Sequence, residues 1–149
     1  MESDLEAARQ RALARVAREP GAALALYEAA CAHDRLGLER EAVPFYEGAL
    51  AAGLAGEDLR GACLGLGSTY RVLGEYARAL EVLERGLAAF PRARDLGVFR
   101  AMALYNLGRS KEAVAALLLL LAEAPGDPEV TRYARAIALY ADDLDRTWP

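Results

Sequence analysis

Residues 63–91 read CLGLGSTYRVLGEYARALEVLERGLAAFP, and part of this spacing returns later in the chain. Two triplets share it, 34 residues apart: Ala79, Leu83 and Pro91, then Ala113, Leu117 and Pro125. A period of that length, with small residues at fixed places and a closing proline, is typical of arrays of helix pairs. The sequence therefore predicts an all-α solenoid in which each pair of helices buries its apolar face against its neighbours.

The same period divides the rest of the chain. Gly37, Ala42 and Tyr46 take the expected positions of an earlier copy, and the step from Ala42 to Ala79 is 37 residues. We therefore expect three extra loop residues within 54–58, because insertions belong in the turns between repeats. The predicted single domain has an N-terminal helix at 2–19, repeats at 23–56, 60–93 and 94–127, a capping helix at 128–144 and a tail at 145–149.

The N-terminal helix is interpreted as the second helix of a decayed repeat. Its expected apolar stripe is Leu5, Ala8, Ala12, Leu13 and Val16. Within the repeats, Gly37, Gly74 and Gly108 are predicted to end the first helices in a left-handed conformation. Gly67 is predicted to lie where two helices approach closely, so that Gly67→Leu would overpack the core.

Composition argues against several kinds of partner. The chain has 18 Lys+Arg against 22 Asp+Glu, with a net charge of -4, so no basic field for nucleic acid is expected. The longest apolar run, residues 113–122, is about half of the ~20 residues that a membrane span requires. We therefore expect neither a nucleic acid nor a membrane as partner.

Source and compartment are predicted from composition. Lysine, asparagine and isoleucine each occur once, whereas Arg, Ala, Leu and Gly abound, which indicates a GC-rich bacterial gene. The start of the chain shows no signal-peptide pattern, and Cys31 and Cys63 lack the spacing of a zinc or redox motif. A cytoplasmic protein with reduced thiols is expected.

The repeats resemble a known family. Residues 63–91 follow the tetratricopeptide pattern, with Cys63 in the usual Trp position and Leu83 in the usual Phe position. Residues 42–74, 98–106 and 142–148 resemble a group of small stand-alone bacterial tetratricopeptide-repeat proteins. The resemblance covers almost the whole chain and implies a right-handed α-α superhelix that acts through protein partners.

The resemblance also implies a binding surface, because the first helices of such repeats line a concave groove. The matching positions in the three repeats are Tyr27, Glu28, Asp34, Arg35, Leu64, Ser68, Arg71, Phe99, Met102, Tyr105 and Asn106. The capping helix adds Arg132 and Tyr133. This mixture of aromatic and charged side chains suits an extended peptide or a partner helix, and the alternative is a solvated groove partly filled by the ends of the chain.

One specialised version of this groove is not expected. Chaperone-binding tetratricopeptide domains hold a C-terminal carboxylate with Lys, Asn and Arg at fixed positions, which here hold Tyr27, Cys31, Gly65, Asp95 and Phe99. Arg35 and Arg71 could still bind one acidic group of a ligand, since a guanidinium offers a bidentate fork. The alternative for both arginines is an intramolecular ion pair with Asp34 or Glu28.

The outward positions of the third repeat are unusually apolar: Ala115, Leu118 and Leu119 stand where the second repeat has charged residues. Three explanations remain open. The surface could form a homodimer, the tail with Leu144 and Trp148 could cover it, or it could simply be exposed.

No pattern favours an enzyme. The chain lacks a phosphate loop, and His33, its single histidine, falls in an aromatic packing position. One histidine and two separated cysteines supply neither a metal site nor a nucleophilic triad, so no catalytic residue, metal or cofactor is expected. The sequence favours an adaptor that binds an unknown protein or peptide in its groove, with a self-associating structural protein as the alternative.

Overall fold

The computed structural model describes residues 1–124, 126, 128 and 134–143, and the regular elements in this part of the chain are all helices. They are α1 (Glu2–Arg18), α2 (Ala23–Asp34), α3 (Glu39–Ala51), α4 (Gly56–Val72), α5 (Tyr76–Ala89), α6 (Arg94–Asn106), α7 (Ser110–Glu123) and α8 (Ala134–Asp142). Each helix packs against the next one along the chain. The predicted all-α helical repeat is confirmed.

One type of turn ends α2, α4 and α6. Its glycines have positive φ: Gly37 at 70°, Gly74 at 79° and Gly108 at 76°. The amide after each glycine donates to a carbonyl five residues back: Leu38 to His33 at 3.1 Å, Glu75 to Tyr70 at 2.8 Å and Arg109 to Leu104 at 2.9 Å. This bond and the left-handed glycine define a Schellman-type end, so the predicted role of the three glycines is confirmed.

The core runs without interruption through the three helix pairs. Leu66, Leu83, Leu96, Leu104 and Cys63 are its largest fully buried side chains, and the cluster extends from Ala30 to Ala113. At Gly67 an added Cβ would lie 2.5 Å from Cγ of Leu83. The close approach of α4 and α5 therefore requires a glycine, as predicted.

A smaller cluster attaches α1 to this core. Ala12 of α1 packs with Ala29 and Ala32 of α2, and Val16 and Phe45 pack against them. The predicted N-terminal helix is thus docked on the first repeat by small residues, and its remaining faces are free for other contacts.

The extra residues between the first two repeats do not lengthen a loop. Helix α4 begins at Gly56 and has 17 residues, against 13 in α6. The additional four residues, 56–59, form a further first turn that includes Gly56, Glu57 and Asp58. The expectation of extra loop residues is wrong at these three positions. Carboxylates are favourable at the positive end of the helix dipole, and Glu57 and Asp58 supply two in the first turn.

Candidate functional site

The first helices of the three repeats form a continuous surface. Helix α2 contacts α4, and α4 contacts α6, whereas no contact of similar extent joins α3 to α5 or α5 to α7 in the described ranges. The row of first helices is therefore the tighter, inner row, as expected for the concave side of a solenoid. The predicted groove residues of the three repeats belong to this row.

Polar side chains connect the helices of the inner row. Thr69 donates its hydroxyl to Asp34 at 3.1 Å, and Arg60 donates to both carboxylate oxygens of Asp95 at 2.7 Å. Arg71 donates to Oδ1 of Asn106 at 3.3 Å. Each bond joins residues 35 positions apart. All three donors lie on α4, which therefore binds α2 through Thr69 and α6 through Arg60 and Arg71.

Asp34 is a structural acceptor as well as a groove residue. The hydroxyl of Tyr46 donates to Oδ2 of Asp34 at 2.6 Å, which adds a contact from α3 to the bond from Thr69. Burial raises the pKa of the Asp34 carboxyl, against the opposing effect of the two hydroxyl hydrogen bonds. Its carboxylate joins α2 to α3 and α4 through these hydrogen bonds, so it is already occupied by groups of the protein.

Two charged groove residues have partners that the sequence did not indicate. Glu28 accepts from Arg15 of α1 at 2.6 Å, and Arg71 bonds to Asn106. The ion pairs of Arg35 and Arg71 with Asp34 or Glu28, one of the two alternatives left open for these arginines, do not occur among the described residues. The Nε of Arg71 is buried and has no hydrogen-bond partner among these residues. Arg35 is exposed.

The apolar groove residues range from half-buried to strongly exposed. Leu64, Phe99 and Met102 are half-buried, as is Ser68, and Phe99 packs against the core. In contrast, the side chain of Tyr105 is 67% exposed. The groove therefore has a strongly exposed aromatic ring in its third repeat, on the same helix as Asn106, which accepts from Arg71.

A cleft of about 590 Å³ opens at the N-terminal end of the groove, between α1, α2 and the first turn of α4. Its lining residues are Ala8, Arg11, Ala12, Arg15, Arg18, Leu24, Tyr27, Glu28, Cys31, Ala32, Arg35 and Asp58. Tyr27 packs beside Tyr46, with ring centroids 6.2 Å apart. Burial is the main reason why the pKa of Tyr27 rises to about 12, so its hydroxyl stays protonated at neutral pH.

The arginines of α1 were missed by the sequence reasoning. Arg11, Arg15 and Arg18 have the spacing i, i+4 and i+7, which places them on one side of α1. That spacing was readable in the sequence. Arginines with this spacing are also typical of an ordinary solvated helix face, so the spacing alone did not indicate a cleft.

The residues considered for catalysis, His33 and the two cysteines, do not form a catalytic group. His33 is 3% exposed, its Nδ1 lies 2.7 Å from the carbonyl oxygen of Ala29, and its ring stacks on Phe45 with centroids 4.9 Å apart. Cys31 and Cys63 are free cysteines. Cys31 accepts a hydrogen bond from the hydroxyl of Tyr46 at 3.8 Å. The residues that the structure describes contain no group of three or more His, Cys, Asp or Glu side chains able to hold a metal ion.

Helix α7 exposes apolar side chains on more than one side. Of the predicted self-association residues, Leu119 is 41% exposed, and Ala115 and Leu118 are half-buried. Other exposed members of the helix are Val114 at 45%, Leu117 at 43% and Leu121 at 48%. The predicted Arg132, Tyr133 and Trp148 lie outside the described residues.

This arrangement of stacked helix pairs with a concave inner row defines a helical-repeat protein of the interaction class. The tetratricopeptide repeat family, described as "Tetratrico peptide repeat", matches residues 23–144, and the chain belongs to this family. No curated protein matches the chain in sequence. Tetratricopeptide repeats generally mediate protein–protein interaction and are generally not enzymes. Among the described residues, no helix is both long and apolar enough to cross a membrane.

Proposed function

We propose that this protein is an adaptor that binds a peptide segment or a helix of a partner protein in its concave groove. The observation that supports this function best is the inner row itself, in which the ring of Tyr105 remains 67% exposed beside fixed polar groups. Exposed aromatic side chains on a rigid surface are common centres of protein recognition. A cytoplasmic setting in a bacterium is part of the proposal and is supported by the composition and the two free thiols.

Selection from a displayed peptide library, followed by calorimetry on purified hits, tests the groove. We expect Tyr105→Ala and Arg71→Ala each to weaken a selected peptide at least about tenfold, the loss typical of a central contact residue. Leu119→Ala and Arg85→Ala are the matched controls, because both residues are exposed on second helices. Equal losses in all four variants would contradict binding in the groove.

A second function is supported by α7. Its exposed leucines could make this protein a self-associating structural component, because apolar side chains on a soluble surface are buried when two copies meet. Light scattering across a concentration series tests this alternative. A homodimer that Leu118→Glu with Leu119→Arg converts to a monomer would favour it, whereas a wild-type monomer at all concentrations would reject it.

A further inference from the structure

The cleft between α1 and α2 has a concentration of positive charge that its neighbours do not balance. Arg11, Arg15 and Arg18 stand along α1, and Arg35 stands at the end of α2. The lining also includes two carboxylates, those of Glu28 and Asp58. The lining therefore has more guanidinium groups than carboxylates, in a protein whose net charge is -4.

Most of this positive charge is not neutralised within the protein. Arg15 binds Glu28 at 2.6 Å and lies 3.5 Å from Glu19. The side chains of Arg11, Arg18 and Arg35 make no hydrogen bond or ion pair with any residue that the structure describes. Further along the inner row, by contrast, the side chains of Arg60 and Arg71 are bound to their neighbours. The unpaired guanidinium groups thus converge on the cleft.

The lining of the cleft also includes apolar side chains. They are Ala8 and Ala12 of α1 and Leu24, Ala32 and Tyr27 of α2. Arg15 pairs with Glu28, and Ala12, earlier in α1, packs with Ala29 and Ala32, later in α2, so the two helices run in opposite directions. A ligand along α1 would meet the unpaired Arg11 and Arg18 on either side of the ion pair between Arg15 and Glu28, with apolar lining beside them.

We propose that the cleft binds an acidic peptide segment of a partner protein. Arg11 and Arg18 are seven residues apart, about 10 Å along the helix axis. A peptide in the polyproline II conformation covers that length in about three residues, which is one full turn, so that side chains three positions apart share a face. The preferred segment therefore has two carboxylate side chains three positions apart, with apolar side chains between them. Guanidinium groups bind carboxylates through paired hydrogen bonds, which suits arginine for this role.

A peptide is favoured over a nucleic acid because the positive charge is local. Nucleic-acid binding gains most of its affinity from many phosphate contacts along a basic surface. Here the net charge of the whole chain is -4, so a long polyanion would meet repulsion beyond the cleft. Because the carboxylate of Asp58, at the α4 side of the cleft, would repel other carboxylates, the acidic side chains of the ligand would lie along α1 and near Arg35.

The test uses the full chain and two fluorescein-labelled peptides that differ only in charge. One contains the core E-L-L-E and the other Q-L-L-Q, and fluorescence anisotropy gives both dissociation constants at low and high salt. We expect the acidic peptide to bind at least about tenfold more tightly, with a difference that shrinks in high salt. Arg11→Glu and Arg18→Glu should each remove that preference, whereas Arg40→Glu, an exposed arginine of α3 outside the cleft lining, should retain it.

Several outcomes would overturn the proposal: equal binding of both peptides, no binding of either, or equal losses in Arg11→Glu and Arg40→Glu. Tighter binding of a labelled single-stranded oligonucleotide, lost in Arg11→Glu, would assign the cleft to phosphate instead. Tighter peptide binding after removal of residues 144–149 would show that the chain's own end is the occupant. This inference rests on the proposed adaptor function, but the experiment distinguishes the failure of one from the failure of the other. If both peptides bind equally and Tyr105→Ala weakens both, the cleft proposal is wrong and the groove function is retained.

Discussion

At the scale of single residues, the contact of α4 with α5 depends on the missing side chain of Gly67. We predict that Gly67→Ala lowers the free energy of unfolding by about 1 to 3 kcal/mol, the usual cost of overpacking. The new Cβ would lie 2.5 Å from Cγ and 2.7 Å from Cδ2 of Leu83, which is fully buried and cannot move aside freely. Urea unfolding followed by circular dichroism measures the change.

Gly48→Ala in α3 is the control for that substitution. Its Cβ would meet Cδ1 of Leu26 at 3.3 Å, and Leu26 is only half-buried, so its side chain can shift. An alanine in a helix is favoured over glycine by up to about 1 kcal/mol, and we expect Gly48→Ala to be neutral or stabilising. Equal destabilisation by both substitutions would contradict the close approach at Gly67.

Asp34 predicts a pH dependence of stability. Burial raises the pKa of its carboxyl above the ordinary value of 3.8, so the folded protein holds this proton more tightly than the unfolded chain does. The associated stability is fully present below the unfolded pKa and is lost as pH rises through the folded pKa. Relative to Asp34→Asn, the wild type should therefore lose stability as pH rises from the ordinary aspartate pKa of 3.8 through the raised pKa of the folded state.

Urea unfolding at each pH compares the two proteins. Thr69→Val is a useful second variant, because removal of a hydrogen bond to the carboxylate should raise the pKa of Asp34 further and extend the loss to higher pH. Parallel stability curves for the wild type and Asp34→Asn would show that the carboxyl has the same pKa in both states, contrary to the prediction.

At the scale of helices, the sequence was sufficient where the period dictates the structure. The left-handed glycines Gly37, Gly74 and Gly108 and the close approach at Gly67 follow from the 34-residue spacing, because each repeat must turn and pack in the same way. The additional turn of α4 could not be predicted from length alone, since the same three residues can extend a loop or a helix. Their acidic side chains favour the helix.

The hydrogen-bond partners of the groove side chains were less predictable. They depend on the rotation of each helix about its own axis and on its shift along the neighbouring helix. The bond from Arg71 to Asn106 and those from Tyr46 and Thr69 to Asp34 join different helices. The spacing within one helix indicates which residues share a face. It does not indicate which atoms of two helices meet, so the sequence left the partner of Arg71 open and did not indicate Asn106.

Cys31 lies in α2 and Cys63 lies in α4, so the reactivity of each thiol measures the accessibility of a different helix. Cys31 is half-buried and lines the arginine-containing cleft, whereas Cys63 is fully buried and burial raises the pKa of its thiol. We predict that Ellman's reagent modifies Cys31 at least about a hundredfold faster than Cys63, because Cys63 must wait for an opening of α4 and α5. Single-cysteine variants Cys63→Ala and Cys31→Ala separate the two rates.

Added E-L-L-E peptide should slow the reaction of Cys31 and leave that of Cys63 unchanged. The Q-L-L-Q peptide serves as the control for this protection. Similar reaction rates for both thiols in the native protein would mean that α4 and α5 open readily, in conflict with the continuous core.

At the scale of the whole molecule, the repeats differ in how fully their second helices are covered. Leu80 and Leu83 of α5 are 8% and 0% exposed. One period later in α7, Val114 and Leu117 are 45% and 43% exposed. Helix α7 thus leaves more of this apolar stripe exposed than α5 does, so we expect these positions to contribute less to stability in the third repeat than in the second.

This gradient predicts different costs for one substitution at equivalent positions. Leu83→Ala should destabilise the protein by about 2 to 5 kcal/mol, as expected for a leucine in a close-packed core, and Leu117→Ala by less than about 1 kcal/mol, because its side chain already contacts water. Amide hydrogen exchange should show the same order, with protection highest in α4 and α5 and lower in α7. If Leu117→Ala lowered the free energy of unfolding as much as Leu83→Ala, the apolar stripe of α7 would have to be buried in solution. A second copy of the protein or another part of the chain could bury it without a change of fold. A concentration-dependent cost would then identify the second copy, because dissociation of a dimer depends on protein concentration and unfolding of a monomer does not.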